Sequence, residues 1–155
     1  MVSGVLGYEG PDALDRNVTK PYREETEIRG TAVRVRRENE PERSFALRRA
    51  PELQALLGAF TALLQGDYAG IERAFTVTAT GSADAWQLSL SPKDARLARR
   101  IEAIRIDGRR DVPRCFALVS NAQSASIMLL GAATHMELHP PLTREWLERA
   151  CAANE

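Results

Sequence analysis

The spacing of apolar residues constrains the fold of this 155-residue chain more than any other feature of its sequence. Apolar and polar residues alternate in several short segments, most regularly at residues 33–36, 75–80 and 86–91. A period of two is typical of strands that bury one face. Because these segments are short and two of them are adjacent, antiparallel pairing is the natural arrangement. The pattern therefore predicts a mainly antiparallel sheet. Turns are expected at Gly30, around Asn39 and at Asp107-Gly108, and Ser91 is expected to cap a short helix that begins at Pro92.

One segment, residues 52–65, has a helical period instead. Its large apolar residues recur every three or four positions, at Leu53, Leu56, Leu57, Phe60, Leu63 and Leu64. This spacing predicts an amphipathic helix that begins near Pro51 and ends at Gly66. Its polar face carries few charges, so we expect it to be covered on more than one side or to face an apolar partner. The predicted fold class is α+β, with a curved antiparallel sheet and this helix packed in its concave face.

Composition excludes several classes of function. Lys plus Arg and Asp plus Glu both number 21, so no net charge attracts nucleic acid. No apolar run approaches the roughly 20 residues of a spanning helix. The first residues lack the basic and apolar regions of a signal peptide. Cys115 and Cys151 form no metal-like pair, and we expect two unpaired thiols, with one disulfide as the alternative.

Candidate metal and catalytic groups are weak. His135, Glu137 and His139 could lie near a metal ion, but the prolines that follow disfavour a helix carrying both histidines, so no metal is expected. No nucleophile or nucleotide-binding motif occurs, and Glu102 is the one carboxylate at a strand position beside apolar neighbours. The densest basic group is expected to be a solvated face, or else a contact for anionic headgroups or an acidic partner. It comprises Arg96, Arg99, Arg100, Arg105, Arg109 and Arg110.

Several segments share the order and spacing of a known family. They are LGYEGPDAL at residues 6–14, IRGTAVRV at 28–35, PEL at 51–53, WQLSLSP at 86–92 and IRIDG at 104–108. Together they resemble the LolA-like outer-membrane lipoprotein carriers. The resemblance implies an incomplete β-barrel closed by helices. It implies a half-barrel domain over residues 1–131, followed by a tail at 132–155, in which the sequence predicts a short helix.

The resemblance also implies a function. Carriers of this kind bind acyl chains of a lipoprotein or lipid in an apolar interior and move them through the periplasm. They take them from an inner-membrane export complex to an outer-membrane acceptor, without catalysis, metal or cofactor. The residues expected to line the interior are Val33, Val35, Phe45, Leu47, Leu57, Phe60, Leu64, Phe75, Val77, Trp86, Leu88 and Leu90. Alternating apolar residues of this kind can equally form a closed core.

Two other functions stay open at this point. The first is a structural or interaction module with a filled core, which works by pairing of an edge strand. The family has further segments before the one that matches residues 6–14, so we expect an exposed sheet edge that can pair with a second copy as a homodimer. The second is an enzyme on a lipid-binding scaffold, which would need titratable groups inside the cavity.

Overall fold

The computed structural model describes residues 2–10, 12–120 and 125–130, together with Glu145. The chain divides into two compact units, Met1–Asp67 and Tyr68–Glu155. Each unit contains one five-stranded sheet in which every neighbouring pair of strands is antiparallel. Three helices lie among the described residues. The predicted α+β fold class, with antiparallel strands and an amphipathic helix, is therefore confirmed.

The first unit is a five-stranded meander followed by a helix. Its strands are β1 (Ser3–Gly10), β2 (Ala13–Lys20), β3 (Glu24–Arg29), β4 (Ala32–Arg37) and β5 (Arg43–Ala46). Gly30 turns the chain between β3 and β4 with a φ of 56°, and Asn39 turns it after β4 with a φ of 65°. Positive φ is the region that glycine and asparagine tolerate best, which explains both turns. Both turns were expected from the sequence.

Helix α1 (Pro51–Gln65) follows a short 3-10 turn, Leu47–Arg49. Proline lies in the first turn, where its missing N–H costs no hydrogen bond. The helix ends at Gly66, which adopts a left-handed conformation with a φ of 69°. The Asp67 N–H then donates to the carbonyl of Ala62 at 2.8 Å, which closes the last turn. The predicted bounds of this helix are confirmed.

The second unit begins with a short helix and continues as a second meander. Its elements are α2 (Tyr68–Ala74), β6 (Phe75–Ser82), β7 (Ala85–Pro92), α3 (Ala95–Ala98), β8 (Ile101–Arg109), β9 (Val112–Ser120) and β10 (Ala125–Leu129). Leu90, Ile104 and Ile106 are fully buried, and Phe116 keeps 1% of its surface exposed. These side chains form the centre of this unit's core.

Two local predictions in this unit were wrong. Strand β7 continues to Pro92, so Ser91 is not a helix cap; Asp94 caps α3 instead, accepting hydrogen bonds from the backbone N–H groups of Arg96 and Leu97. Strand β8 continues through Gly108, where the sequence predicted a turn. The chain turns two residues later, at Arg110, with a φ of 51°.

The remaining predictions for the tail fall outside the described residues. They concern the division after residue 131, the C-terminal helix, His135, Glu137, His139 and Cys151, and they stay predictions. Among the residues that are described, none of the helices combines the length and the apolar character needed to cross a membrane.

Candidate ligand-binding surfaces

One row of apolar side chains crosses all five strands of the first sheet. Direct strand pairing places in this row, in order, Tyr8, Leu14, Ile28, Val33 and Phe45. Directly opposed residues of antiparallel strands lie on the same face of the sheet. Leu14, Ile28 and Val33 keep 7% or less of their surface exposed. We refer to the side of the sheet that carries this row as the apolar face of the first sheet.

Helix α1 contacts one end of this row. The ring of Phe60 packs edge-on against Tyr8, with 6.2 Å between ring centroids and an interplanar angle of 80°. The Gln65 side-chain amide donates a hydrogen bond to the Tyr8 hydroxyl at 3.1 Å. Phe60 is 6% exposed, whereas Leu64, one turn further along the helix, is 43% exposed. The helix is thus held at Tyr8 while part of its apolar surface faces solvent.

The same face becomes charged toward the turn between β2 and β3. Glu24 lies opposite both Val18 and Arg37 in the strand pairing. The Nη1 group of Arg16 donates to Glu24 Oε1 at 2.9 Å, and the Nη2 and Nε groups of Arg37 donate to Oε2 at 2.7 and 3.0 Å. The Glu24 side chain is only 9% exposed, so its charge needs ionic partners, and Arg37 alone provides two of the three hydrogen bonds. We call Arg16, Glu24 and Arg37 the ionic cluster.

The ionic cluster is extended through Arg37. Its Nη1 group donates to Glu40 at 3.2 Å, and Glu40 accepts a second hydrogen bond from Arg43 at 3.0 Å. The guanidinium carbon of Arg37 also lies 4.5 Å from the ring centroid of Tyr22, a cation–π distance. Hydrogen bonding to Glu24 is the main cause that raises the pKa of Arg37. These contacts fix Arg37 in one position.

The opposite face of the first sheet is charged along its length. Arg34 lies within 3.6 Å of Glu27 and within 3.4 Å of Glu42, and Arg36 lies 3.3 Å from Glu25. The two arginine side chains are half exposed, so each pair contributes at most about 1 kcal/mol. This face therefore carries a solvent-exposed network of ion pairs.

A cavity of about 490 Å³, lined mostly by polar and charged residue types, lies at the end of the sheet where β2 ends, β3 begins and β4 ends. Its lining includes Glu24 and Arg37 of the ionic cluster. The other lining residues are Asn17, Val18, Thr19, Arg23, Glu25, Arg36 and Glu38. Glu24 and Arg37 of the ionic cluster thus border open space at the end of the sheet.

One face of the second sheet is apolar across β6, β7 and β8. Val77 pairs with Leu90 and Leu90 with Ile104, while Leu88 pairs with Ile106. By strand alternation Phe75 and Trp86 lie on the same face as these residues. Phe75 and Leu90 are buried, whereas Val77, Trp86 and Leu88 are half-buried. We refer to this side as the apolar face of the second sheet.

Trp86 lies across a glycine on the neighbouring strand. Trp86 pairs with Gly108, and a Cβ at Gly108 would collide with the six-membered ring of the indole. The indole N–H donates to the carbonyl of Arg110 at 2.8 Å. This contact explains why Gly108 lies within the strand and not in a turn. Because glycine has no Cβ atom, the Trp86 indole can lie against the backbone of residue 108.

On the other side of this sheet, Asp107 is partly buried. Its carboxylate accepts a hydrogen bond from the Gln87 amide at 2.9 Å. Burial raises the pKa of Asp107, and the hydrogen bond from Gln87 and the charge of Arg105 oppose that shift. Asp107 lies directly opposite Cys115 on β9. This carboxylate therefore carries its charge in a poorly solvated position.

Cys115 is fully buried and disulfide-bonded. It packs with Ala117, and Ile127 and Leu129 of β10 cover the pair. The expectation of two unpaired thiols is therefore wrong at Cys115, and Cys151 lies outside the described residues. The spacing of cysteines in a sequence does not by itself show whether a cysteine is bonded.

The structure places the twelve predicted lining residues in both units. Val33, Val35 and Phe45 share the apolar face of the first sheet, Leu47 lies in the 3-10 turn, and Leu57, Phe60 and Leu64 lie on α1. Phe75, Val77, Trp86, Leu88 and Leu90 share the apolar face of the second sheet. Strand residues are thus grouped on one face within each unit. Their part in ligand binding stays a prediction.

Several residues of these faces were missed as lining candidates. In the first unit they are Tyr8, Leu14 and Ile28, and in the second Ile104, Ile106 and Phe116. The signal for β2 was present, because Leu14 and Val18 lie four residues apart, but Arg16 interrupts the apolar period between them. An arginine on an apolar face is explained only by its partner Glu24, which is distant in sequence.

The weaker candidates from the sequence gain no support as sites. Glu102 is exposed on β8. Within the described ranges, no group of three His, Cys, Asp or Glu side chains is arranged to hold a metal ion. The basic residues between 96 and 110 are distributed over α3, β8 and the turns beside them, and Arg110 lies near Asp84 at 3.4 Å.

A family model described as outer membrane lipoprotein carrier protein LolA-like matches residues 2–145. This match covers most of the chain, so the protein belongs to the LolA-like family, as its sequence motifs indicated. A comparison with curated proteins finds no significant match.

Proposed function

We propose that this member of the LolA-like family binds the acyl chains of a lipoprotein or lipid and carries them through the periplasm toward the outer membrane. The role is non-enzymatic and uses no cofactor. One observation carries the proposal beyond family membership: α1 rests on the apolar row through Phe60 and Tyr8 while Leu64 remains exposed. A helix that packs on an apolar face through a ring contact and keeps apolar surface exposed is suited to be displaced by an apolar ligand.

The energetics of a carrier fit such a contact. Burial of an acyl chain contributes about 0.8 kcal/mol for each CH₂ group, so even a short chain provides several kcal/mol. A carrier must also release its ligand, and the loss of the contact between α1 and Tyr8 on loading would offset part of this gain. The Tyr8 and Phe60 rings and one exposed hydrogen bond form that contact. The offset is therefore small, so affinity is set mainly by the length of acyl chain that is buried.

The proposed route places the donor in an inner-membrane export complex and the acceptor at the outer membrane. The disulfide at Cys115 supports a periplasmic location, because disulfides persist in oxidising compartments and are rare in the cytoplasm. The family description supports the same route.

The test is a titration with a fluorescent fatty acid. We expect saturable binding at micromolar concentration, and we expect Phe60→Asp to weaken it by at least tenfold, because a carboxylate replaces a ring buried on the apolar row. Gln54→Asp is the matched control, since it adds the same charge at an exposed position of α1. Unfolding midpoints of all variants are measured in parallel. If Phe60→Asp lowers stability and affinity in equal proportion, Phe60 belongs to a plain core.

A second candidate function is favoured by β1. It is an edge strand in the first sheet, its Val5 is 66% exposed, and Glu9 is its single charged residue. Edge strands are usually protected by charges or prolines, and β1 has little such protection. In this alternative the core is filled and the protein works by pairing β1 with a second copy, as a homodimer.

A further inference from the structure

We propose that Arg16 binds an anionic headgroup. The ligand would then be an acyl chain that ends in a carboxylate or phosphate. The inference rests on the proposed acyl-carrier function and specifies its substrate class. Its basis is the meeting of an apolar row and an ionic cluster on the same face of one sheet.

The geometry places head and tail on one continuous surface. Leu14, Arg16 and Val18 alternate along β2 and therefore lie on the same face. A strand rises about 3.4 Å per residue, which separates Arg16 from the apolar row by about 7 Å. A ligand whose tail lies along that row, beside α1, would bring its head group to Arg16.

The donors needed for an anion are present on Arg16. A guanidinium has five N–H donors, and Arg16 uses its Nη1 group to bind Glu24. Within the part of the chain that the structure describes, its other N–H groups make no hydrogen bond to protein. The Arg16 side chain is 39% exposed, so an incoming oxyanion can reach these donors.

The charge balance of this face also favours an anion. The ionic cluster and its extension contain three arginines, Arg16, Arg37 and Arg43, and two glutamates, Glu24 and Glu40. One positive charge is therefore left uncompensated. A carboxylate or phosphate would complete the balance with charge-assisted hydrogen bonds, which are stronger than neutral ones.

The opposite face has the reverse balance. Arg34 is shared between Glu27 and Glu42, and Arg36 lies near Glu25 as well as near those two glutamates. Carboxylates outnumber arginines there, so the arginines of that face have no excess charge to offer an anion. The positive excess is specific to the face that also carries the apolar row.

The experiment compares three ligands with the same tail: dodecanoate, dodecyl phosphate and dodecanol. Binding to the full chain is measured by calorimetry at neutral pH. We expect at least one of the two anions to bind about tenfold more tightly than dodecanol, which corresponds to about 1.4 kcal/mol. Preference for one of the anions identifies the source of the headgroup, a fatty acid or a phospholipid.

Three variants locate the effect. Arg16→Gln is expected to remove the preference for anions and to leave dodecanol binding unchanged, since Arg37 still holds Glu24. Glu24→Gln is expected to increase the preference, because it removes the carboxylate that competes for Arg16. Merely structural damage would not produce such a gain. Arg34→Gln is the matched control on the opposite face, away from the cavity beside the ionic cluster, and should leave the preference as it is.

The outcomes separate this inference from the proposed function. Equal binding of dodecanol and both anions would overturn the headgroup site while acyl carriage stands. An anion preference that survives Arg16→Gln would overturn the assignment to Arg16. Failure of the folded protein to bind any of the three ligands would overturn both proposals.

Discussion

At the scale of single residues, Trp86 and Gly108 form the most constrained contact of the second sheet. The indole occupies the space where any other residue at position 108 would place its Cβ atom, and its N–H is bonded to the Arg110 carbonyl. A glycine in a strand normally weakens the sheet, but a cross-strand aromatic ring can restore the lost packing. The pairing of β7 with β8 therefore depends on residue 108 having no side chain.

Gly108→Ala tests this contact. The added methyl group must displace the indole, so we expect the free energy of unfolding to fall by about 1–3 kcal/mol. Gly7→Ala is the control, because a Cβ atom there would come no closer than 3.7 Å to another atom, the Cβ of Asp15. Denaturant unfolding measures both variants. Similar stability of the two variants would contradict the described packing of Trp86.

Asp107 gives a pH-dependent prediction. Its folded pKa is raised, so the folded protein holds this proton more tightly than the unfolded chain. The stability linked to this group is therefore present at acidic pH and is lost as pH rises through the folded pKa. Asp107→Asn keeps an amide partner for Gln87 and removes the charge. We expect the variant to melt about 1–3 °C above the parent at neutral pH.

The comparison must be made across pH. The difference in melting temperature should shrink as pH falls, because both proteins are then neutral at position 107. Arg105 and Gln87 favour the charged form of Asp107, which limits the size of the effect. A difference that stays constant with pH, or a lower melting temperature for Asp107→Asn at neutral pH, would contradict the prediction.

Residue-level prediction from sequence succeeded where the cause was local. Gly30, Asn39 and Gly66 mark turns or a helix end because their own backbone preferences favour positive φ. The roles of Gly108 and Arg16 depend on partners that are distant in the chain, Trp86 and Glu24. No local pattern contains those partners, and both positions were therefore misread or passed over.

At the scale of elements, the position of α1 decides whether the apolar face of the first sheet can accept a ligand. Its predicted bounds are confirmed because Pro51 and Gly66 delimit it and its apolar residues keep a helical period. Strand β2 was missed because Arg16 interrupts its alternation of apolar and polar residues. Arg16 lies there because it forms an ion pair with Glu24. Elements with uninterrupted periods could thus be predicted, and β2, whose apolar face carries an arginine, could not.

Tyr8→Phe tests whether α1 moves. The substitution keeps the ring contact with Phe60 and removes the hydrogen bond from Gln65. If the helix must leave Tyr8 before an acyl chain enters, a weaker closed state raises affinity, and we expect dodecanol to bind about twofold more tightly. Unfolding is measured alongside. A variant that is less stable but binds with unchanged affinity would show α1 to be a fixed part of the core.

At the scale of the whole molecule, each unit repeats one plan: a five-stranded antiparallel meander with an apolar face. Alternation of residues predicted that plan for β4, β6 and β7. The division of the strands into two sheets depends on which strands pair. The alternation of residues within a strand does not show which other strand it pairs with. The fold class was therefore predictable, and the sheet membership was not.

The exposed edge strand β1 leads to a prediction about the oligomeric state of the protein. If β1 pairs with a second copy, the protein elutes as a dimer in size-exclusion chromatography, and Val5→Lys shifts it to a monomer because a charge protects the edge. Val112→Lys is the control, since Val112 is also more than half exposed but lies in the other sheet. A parent protein that elutes as a monomer at high concentration would contradict the dimer.

Native mass spectrometry of the full chain, purified from its expression host, tests the claim that this protein carries acyl chains. We predict a population heavier than the 17.1 kDa chain by the mass of one acyl lipid, with that mass released on denaturation. Added dodecanoate should then populate the same loaded state. A folded protein that shows only its own mass, with or without excess dodecanoate, would contradict the claim.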